Sequence, residues 1–463
     1  MIYQPTEYQS KNGRFYLTAE ACAVGHAALD TPVLKEIFWG HAYHLSRLRI
    51  THTDALVFRI GEAKEPALGA YDYAVNVETT GVCICGKTPR DLIYGFILWL
   101  DALTCDAPGV VSSPCFYAAE KPEISCRMVH FCVFPDTELW ELARFVRYAG
   151  ALRYTHLVLE FWGMYRFEAE PRLAWSHAFT KEQLCPILKE AKDLGLELVP
   201  MLNHWGHATG CRVMHGKHSA LDNDPSLSYL FSPDGWRWAI EKEETRTLLR
   251  ALRRELIELC GEGAYFHIGC DEAYGFRFTD ESMKEITDYF SYLADELETE
   301  GRRAIIWGDM FLFKHPHYHA ENRYDANAPS AEAEKRMIAS LDPRLLIADW
   351  QYNIKKYPVE TSLVFKEAGL DTLVCPWEAT ADIEHCVNTV KAEGLCGVMH
   401  TTWHTLSANT HQVLRTALIS IQGGYTDGMV IHTCAAALLR KVFFVDGDYR
   451  KAGWAKQEIG VIT

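Results

Sequence analysis

Two adjacent carboxylates, Asp271 and Glu272, end the apolar run YFHIGCDE, with His267 four residues before the first. Neighbouring ionised acids repel each other, so the pair favours retention of a proton, a useful property for a general acid near neutral pH. On a regular strand adjacent side chains point to opposite faces. Asp271 and Glu272 are therefore not expected to flank a scissile bond as acid and nucleophile. The spacing suits one proton donor, Glu272, beside an auxiliary carboxylate, Asp271, that steadies a developing cation. The bland alternative is a solvated loop start after a strand.

Histidines are the second group that could do chemistry. HWGHATGCRVMHGKH holds His204, His207, His215 and His218, and KHPHYH adds three more. Histidines three apart on a helix can ligate zinc. This segment follows a strand end and reads as loop, however, and the first strand has no HxH pair. A metal-dependent hydrolase is the weaker reading; no metal and no cofactor is expected.

These residues need a scaffold. Eight β-rich runs (CRMVHFCVF, THLVLEF, ELVPMLN, AYFHIGCDE, AIIWGDM, RLLIADW, DTLVCPW and CGVMHTTW) alternate with helical stretches over some 300 residues. That is the requirement of a (β/α)8 TIM barrel, and the runs are near-continuously apolar, as strands buried on both faces should be. TELWELARFVRYAGAL and TKEQLCPILKEAKDLG each begin with a threonine that predicts a helix cap. Upstream, LVFRIG, YAVNV and GVCICG read as strands, and TPRDLIYGFILWLDAL as a helix opened by a threonine cap and a proline. The fold class is therefore α/β: a small α/β domain over 1–118, with a composition break near SSPC at Ser112, then the barrel over 119–425. A short helical tail over 426–463 contains AAALLRKVFF.

Chemistry in such barrels gathers where strands end. Those ends carry Glu160 and Trp162; Asn203, His204 and His207; Asp271 and Glu272; and Trp307 and Asp309. They continue with Asp349 and Trp350, Trp377 and Glu378, and Trp403 and His404. One tryptophan at a strand end is more often core than ligand platform. Several on one rim, beside acids, imply a saccharide site: indole faces stack on sugar rings, and carboxylates accept from hydroxyls. An acid beside an auxiliary acid then suits hydrolysis in which the substrate's own 2-acetamido oxygen attacks the anomeric carbon.

Composition bounds the partners. The chain has 463 residues, 48% hydrophobic and 23% charged, with net charge −15. That balance describes a globular protein and argues against nucleic acid or an anionic membrane as partner. The N-terminus reads as lacking a secretory signal, and no apolar stretch is long enough to span a bilayer. The 15 cysteines, without a CxxC pair, read as reduced thiols of a cytoplasmic protein. Cys83 and Cys85 read as core packing. Oligomeric state is left open.

HIGCDE resembles the H-x-G-G-D-E signature of family 20 glycoside hydrolases, the β-N-acetylhexosaminidases. ISCRMVHFCVF resembles that family's first strand with its sugar-binding arginine, implying Arg127. LGLELVPMLNHWGHA resembles the third strand and places the family histidine at His207, near the acid. RAIIWGDM places a pocket tryptophan at Trp307, and Trp350 and Trp403 fall where the family has further pocket walls. YAVNVETTGVCICGKTPRDLIYGFILWL resembles the small domain before the barrel. The resemblance implies a retaining, substrate-assisted exo-glycosidase that releases terminal β-linked N-acetylhexosamine from small glycosides. Catalytic roles fall to Asp271, Glu272 and His207. Substrate contacts are expected from Arg127, Glu160, Asn203, His204, Trp307, Trp350, Trp377, Glu378 and Trp403.

Several positions depart from the family pattern. Cys270 stands for the second glycine of the signature, Asn203 for an acid, and Trp205 for a proline. His404 and Thr405 follow Trp403 where W-x-E is usual, which leaves the preference between gluco and galacto sugars open, with Glu378 and Glu160 as candidates to read the far hydroxyls. Trp377 and Tyr352 are the candidates for the tyrosine that binds the acetamide oxygen. A non-catalytic amino-sugar-binding barrel is the alternative these departures keep open.

Overall fold

A computed structural model describes residues 5–17, 23–24, 26–42, 56–107, 110–209, 220–403, 405–422 and 428–443. Eight parallel strands close into a barrel: β1 (Cys126–Cys132), β2 (His156–Glu160), β3 (Glu197–Met201), β4 (Tyr265–His267), β5 (Arg303–Trp307), β6 (Leu346–Trp350), β7 (Thr372–Cys375) and β8 (Gly397–His400). Each lies within one of the eight apolar runs, except that β5 begins one residue earlier, at Arg303. Closure comes from β8 pairing in parallel with β1, Gly397 opposite Cys126.

Strand alternation explains the continuous hydrophobicity. Met128, Val199, Ile305, Trp307, Ala348 and Leu373 fill the barrel interior. Their neighbours Val129, Phe131, Phe266, Ile306 and Ile347 point outward into the layer shared with the helices. Both faces are dry, so neither can be polar.

Several helix starts follow local chemistry. Thr180 caps Lys181–Asp193 in a reciprocal capping box with Gln183, and Thr88 caps Pro89–Asp101 with Asp91. Thr137 does not act as the expected cap. The helix Leu139–Ala151 begins after Glu138, which makes no side-chain cap bond. The Thr137 hydroxyl instead accepts from the Phe134 N–H at 3.0 Å, closing the loop that leaves β1.

The small domain is an antiparallel sheet. Strand Glu7–Leu17 pairs with Val110–Glu120, followed in the sheet by Tyr73–Glu78, Gly81–Gly86, Val57–Gly61 and Ala23–Val24. The break expected near Ser112 lies inside the strand Val110–Glu120, which also runs past position 118. Ser112 and Ser113 are buried there, so a polar Ser-Pro cluster marks no linker. Cys83 and Cys85 are buried beside Ala63. At the other end of the chain, helix Gly428–Val442 packs against Leu139–Ala151 and Pro32–Ala42, joining tail, barrel and sheet domain. The rest of the expected tail, 444–463, lies outside the described residues. Among the described residues no helix is long and apolar enough to cross a membrane.

A buried ionic contact ties sheet to barrel. Arg153, in the turn before β2, donates to Tyr73 Oη at 3.0 Å and to Glu120 Oε2 at 3.1 Å, and Tyr73 also donates to Glu120. Removing one partner of a buried pair leaves the other poorly solvated. Glu120→Ala should lower unfolding free energy by about 3 kcal/mol, the low end for such pairs, because Asp101 lies 4.0 Å from the same guanidinium. Chemical denaturation of the purified variant measures this.

Candidate active site

The strand β4 stops at His267, and the chain then leaves regular geometry. Gly269, Cys270 and Glu272 have φ of +65°, +78° and +43°, and His207 on the facing loop has +51°. The two loops interlock. A Cβ on Gly206 would sit 1.8 Å from the Asp271 carbonyl oxygen, and one on Gly269 would sit 1.7 Å from Asn203 Oδ1. Only glycine allows that approach. Cys270 accepts a left-handed backbone that disfavours side chains by roughly 1 kcal/mol, and its buried thiol donates to the Ile268 carbonyl at 3.2 Å.

This loop overturns the expectation drawn from strand alternation. Asp271 and Glu272 do not point to opposite faces. Both turn toward one imidazole, with His207 Nε2 at 3.4 Å from Asp271 Oδ2 and 2.8 Å from Glu272 Oε2. The Tyr274 hydroxyl donates to the other glutamate oxygen, Oε1, at 2.5 Å. The Glu272 backbone N–H donates to Asp309 Oδ2 at 2.9 Å.

Burial dominates the electrostatics. It pushes the Asp271 carboxyl up to about 8; His207 opposes the rise, and the charges of Asp309, Glu272 and Glu160 reinforce it. Burial likewise pushes Asp309 up to about 7, against the N–H donors of Glu272, Trp350 and Asn327. Raised proton affinity is thus found on Asp271 and Asp309.

Beside the acids opens a cleft of about 490 Å³ lined by His207, Asp271, Glu272, Trp350, Tyr352, Trp377 and Trp403. Trp350 is fixed by its indole N–H on Asp309 Oδ1 at 3.0 Å. Trp403 donates to Tyr352 Oη at 2.5 Å, and the Tyr352 ring lies 5.0 Å from Trp350 and 5.3 Å from Trp377. The cleft is an aromatic box with acids at one side.

Other expected site residues lie elsewhere. Trp307 is fully buried under the cleft, 4.3 Å from the His267 ring and 5.9 Å from Trp403. Glu160 and Asn203 bond each other (2.8 Å) and line a second, narrow cavity behind His207. His204 is turned into the core against Phe266, and burial holds its pKa down to about 3. Glu378 is exposed and outside the cleft lining. Arg127 sits at the opposite end of the barrel. As the second residue of β1 it points outward, and its guanidinium donates to the carbonyls of Arg153 and Ile124. The inward residues of that strand are Cys126, Met128, His130 and Cys132, and His130 lies 4.8 Å from Trp403 at the rim. Asp349 also faces outward, accepting from Thr361 and Ser362.

Of the histidines weighed as metal ligands, His215 and His218 lie outside the described residues, as does His404, and His315 pairs with Glu334. A different group gathers: His130, Cys132 and Glu160 offer ligand atoms within 4.8 Å of one another. Those atoms already engage each other and their neighbours. His130 Nε2 is 3.0 Å from Glu160 Oε2, and the Trp162 indole N–H donates to Cys132 Sγ at 2.8 Å.

Residues 154–411 match the model of the glycosyl hydrolase family 20 catalytic domain. The chain belongs to this family. Hexosaminidase D of Bos taurus is 28% identical over 128 residues, 27% of this chain, and the matched stretch spans only 34% of that protein. By fold the chain is similar to Streptomyces plicatus N-acetyl-β-hexosaminidase (TM-score 0.65, 14% identity, 94% of this chain and 93% of that one). It is also similar to the β-N-acetylhexosaminidase of Bacteroides fragilis (TM-score 0.64, 15% identity, 92% and 91%) and to the chitobiase of Flavobacterium johnsoniae (TM-score 0.65, 15% identity, 95% and 72%).

This family 20 site contains three groups that the sequence did not point to, His130, Trp236 and Tyr274, and gives Asp309 and Tyr352, named there only as a strand-end acid and a candidate hydroxyl, defined partners. Asp309 carried a readable signal, an acid ending the run AIIWGD. Tyr352 follows Trp350 by two and so shares its face. Trp236 gave none, because a long connection brings it back to the rim.

The raised carboxylates set a sign for stability. Between unfolded values near 4 and folded values of about 8 and 7, the folded chain keeps protons that the unfolded chain has lost. The resulting penalty is absent below about pH 4 and grows as pH rises through the folded values. Ligand-free Asp309→Asn should therefore show a smaller fall in Tm than the parent between about pH 6 and 8. An equal slope in calorimetry would remove Asp309 from this balance.

Proposed function

We propose that the protein is an exo-β-N-acetylhexosaminidase acting by substrate-assisted catalysis with retention. The observation that carries this reading is the convergence of Asp271 and Glu272 on His207. Acids side by side on one loop are poorly placed as the acid and nucleophile of an ordinary retaining glycosidase, which flank the bond about 5 Å apart. They suit a donor beside an orienting carboxylate. Family membership supports the reading, and a Streptomyces plicatus β-hexosaminidase mutant carries GlcNAc as product.

In this mechanism one pyranose fills the aromatic box. The substrate's acetamide carbonyl oxygen attacks C1, and the C1–oxygen bond breaks as protonated Glu272 gives its proton to the leaving oxygen. Asp271 accepts the acetamide N–H and balances the charge of the oxazolinium-like intermediate. That cation favours ionisation of a carboxyl which burial alone keeps protonated. Glutamate then takes a proton from water as the water attacks C1 and reopens the ring, giving retained configuration. His207 orients Glu272 through Oε2, and Asp309 holds the glutamate backbone. Tyr352, wedged among three tryptophans, is the hydroxyl best placed to meet the acetamide oxygen.

Two outcomes test this. β-N-acetylglucosaminides or β-N-acetylgalactosaminides should be cleaved, with thiazolines that mimic the cyclised intermediate inhibiting competitively; equal turnover of plain β-glucosides sinks the acetamide mechanism. Glu272→Gln should lose about 10²–10⁴ in kcat on a poor leaving group and less on an activated aryl one. Equal losses on both would show that Glu272 is not the proton donor.

A further inference from the structure

We propose that Trp236 and Tyr274 form the leaving-group side of this site, a prebuilt aromatic plate that takes a neutral ring-shaped aglycone such as a second pyranose or an aryl group. The proposal rests on the hydrolase reading above and specifies what the glycoside carries beyond the scissile oxygen.

The argument starts at the two oxygens of Glu272. His207 holds Oε2 on the imidazole that Asp271 also faces, so we place the glycosidic oxygen on the Oε1 side, where it shares Glu272 with Tyr274. The Tyr274 hydroxyl already bonds Oε1 there. Whatever follows the glycosidic oxygen therefore emerges beside the Tyr274 ring. That ring stacks on Trp236, centroids 5.3 Å apart and planes 27° apart, yet Tyr274 remains 48% exposed. One face is backed by indole, and among the described residues about half of the side chain stays uncovered. Neither ring lines the aromatic box that holds the first sugar.

The plate is held rigid. The Glu272 carbonyl accepts from the Tyr274 backbone N–H and from the Trp236 indole N–H, while the Trp236 backbone N–H donates to Asp234. Trp236 also lies 4.9 Å from the His207 ring, so plate, imidazole and acid form one unit. Aromatic faces stack on other ring faces and gain little from a short alkyl group. Asp234, Asp271 and Glu272 lie nearby, which disfavours an anionic aglycone. Burial and Glu272 raise the Tyr274 phenol pKa, so its hydroxyl stays a donor. A hydrogen bond to the charged form lowers an acid's pKa, which makes Tyr274 a positioning residue as well as a surface.

The test compares N,N′-diacetylchitobiose with methyl β-N-acetylglucosaminide, whose leaving oxygens are of similar basicity. In Tyr274→Ala and Trp236→Ala the ratio of kcat/KM, disaccharide over methyl glycoside, should fall about tenfold. Tyr274→Phe should keep the ratio but move the basic limb of the pH profile upward, because Glu272 loses a donor. A ratio within twofold of the parent in folded Tyr274→Ala overturns the plate, and half-exposed Tyr274 makes that variant decisive if Trp236→Ala fails to fold. A parent protein that cleaves neither these substrates nor their β-N-acetylgalactosaminide counterparts overturns the hydrolase reading and the plate together; where only the galacto series is cleaved the ratio is read on that series, and an active parent with unchanged ratios overturns the plate alone.

Discussion

The site depends on one close approach, the backbone of Gly206 against the carbonyl of Asp271. Two loops after neighbouring strands share a space that any Cβ would fill. Their meeting forces a run of left-handed residues, and that run turns two successive carboxylates toward the same imidazole. Without the interlock, Asp271 and Glu272 would follow the pleat and separate. Their convergence is thus a packing consequence, set by glycines rather than by the carboxylates themselves.

That geometry works against electrostatics. Asp271, Glu272 and Asp309 crowd a poorly solvated rim, and burial makes each further charge harder to hold. The structure answers with directed donors: His207, Tyr274, the Trp350 indole, Asn327 and a backbone N–H. Each donor is itself anchored in rigid barrel structure or aromatic packing. The site stores unfavourable interactions that the rest of the barrel must offset, a common arrangement where protons are to be moved.

The barrel supplies that support through layers rather than single contacts. Inward residues form a dry plug beneath the rim, with Trp307 as its top and as the floor of the aromatic box. Outward residues knit the strands to the helices. The sheet domain braces the far end through Arg153, Tyr73 and Glu120, where Arg127 also spends its donors on backbone carbonyls. Opposite ends of the same strands thereby carry different groups: the crowded carboxyls where they finish, structural ion pairs where they begin.

The sequence by itself determined the barrel. Eight apolar runs separated by amphipathic helices admit few other closures, because strands buried on both faces need helices outside and one another inside. It also placed the acid pair, His207 and three tryptophans at strand ends, since position along a strand is a local property. Only the tertiary structure decided which way side chains face once the strand ends. Arg127 has the right residue type on the right strand but the outward parity and the wrong end. His204 and His207 differ by three residues, yet one is sealed against Phe266 and the other holds the acid. Trp236 and Tyr274 meet across 38 residues of sequence. Such facts depend on φ angles and on loops closing over one another, and residue type and spacing do not encode those.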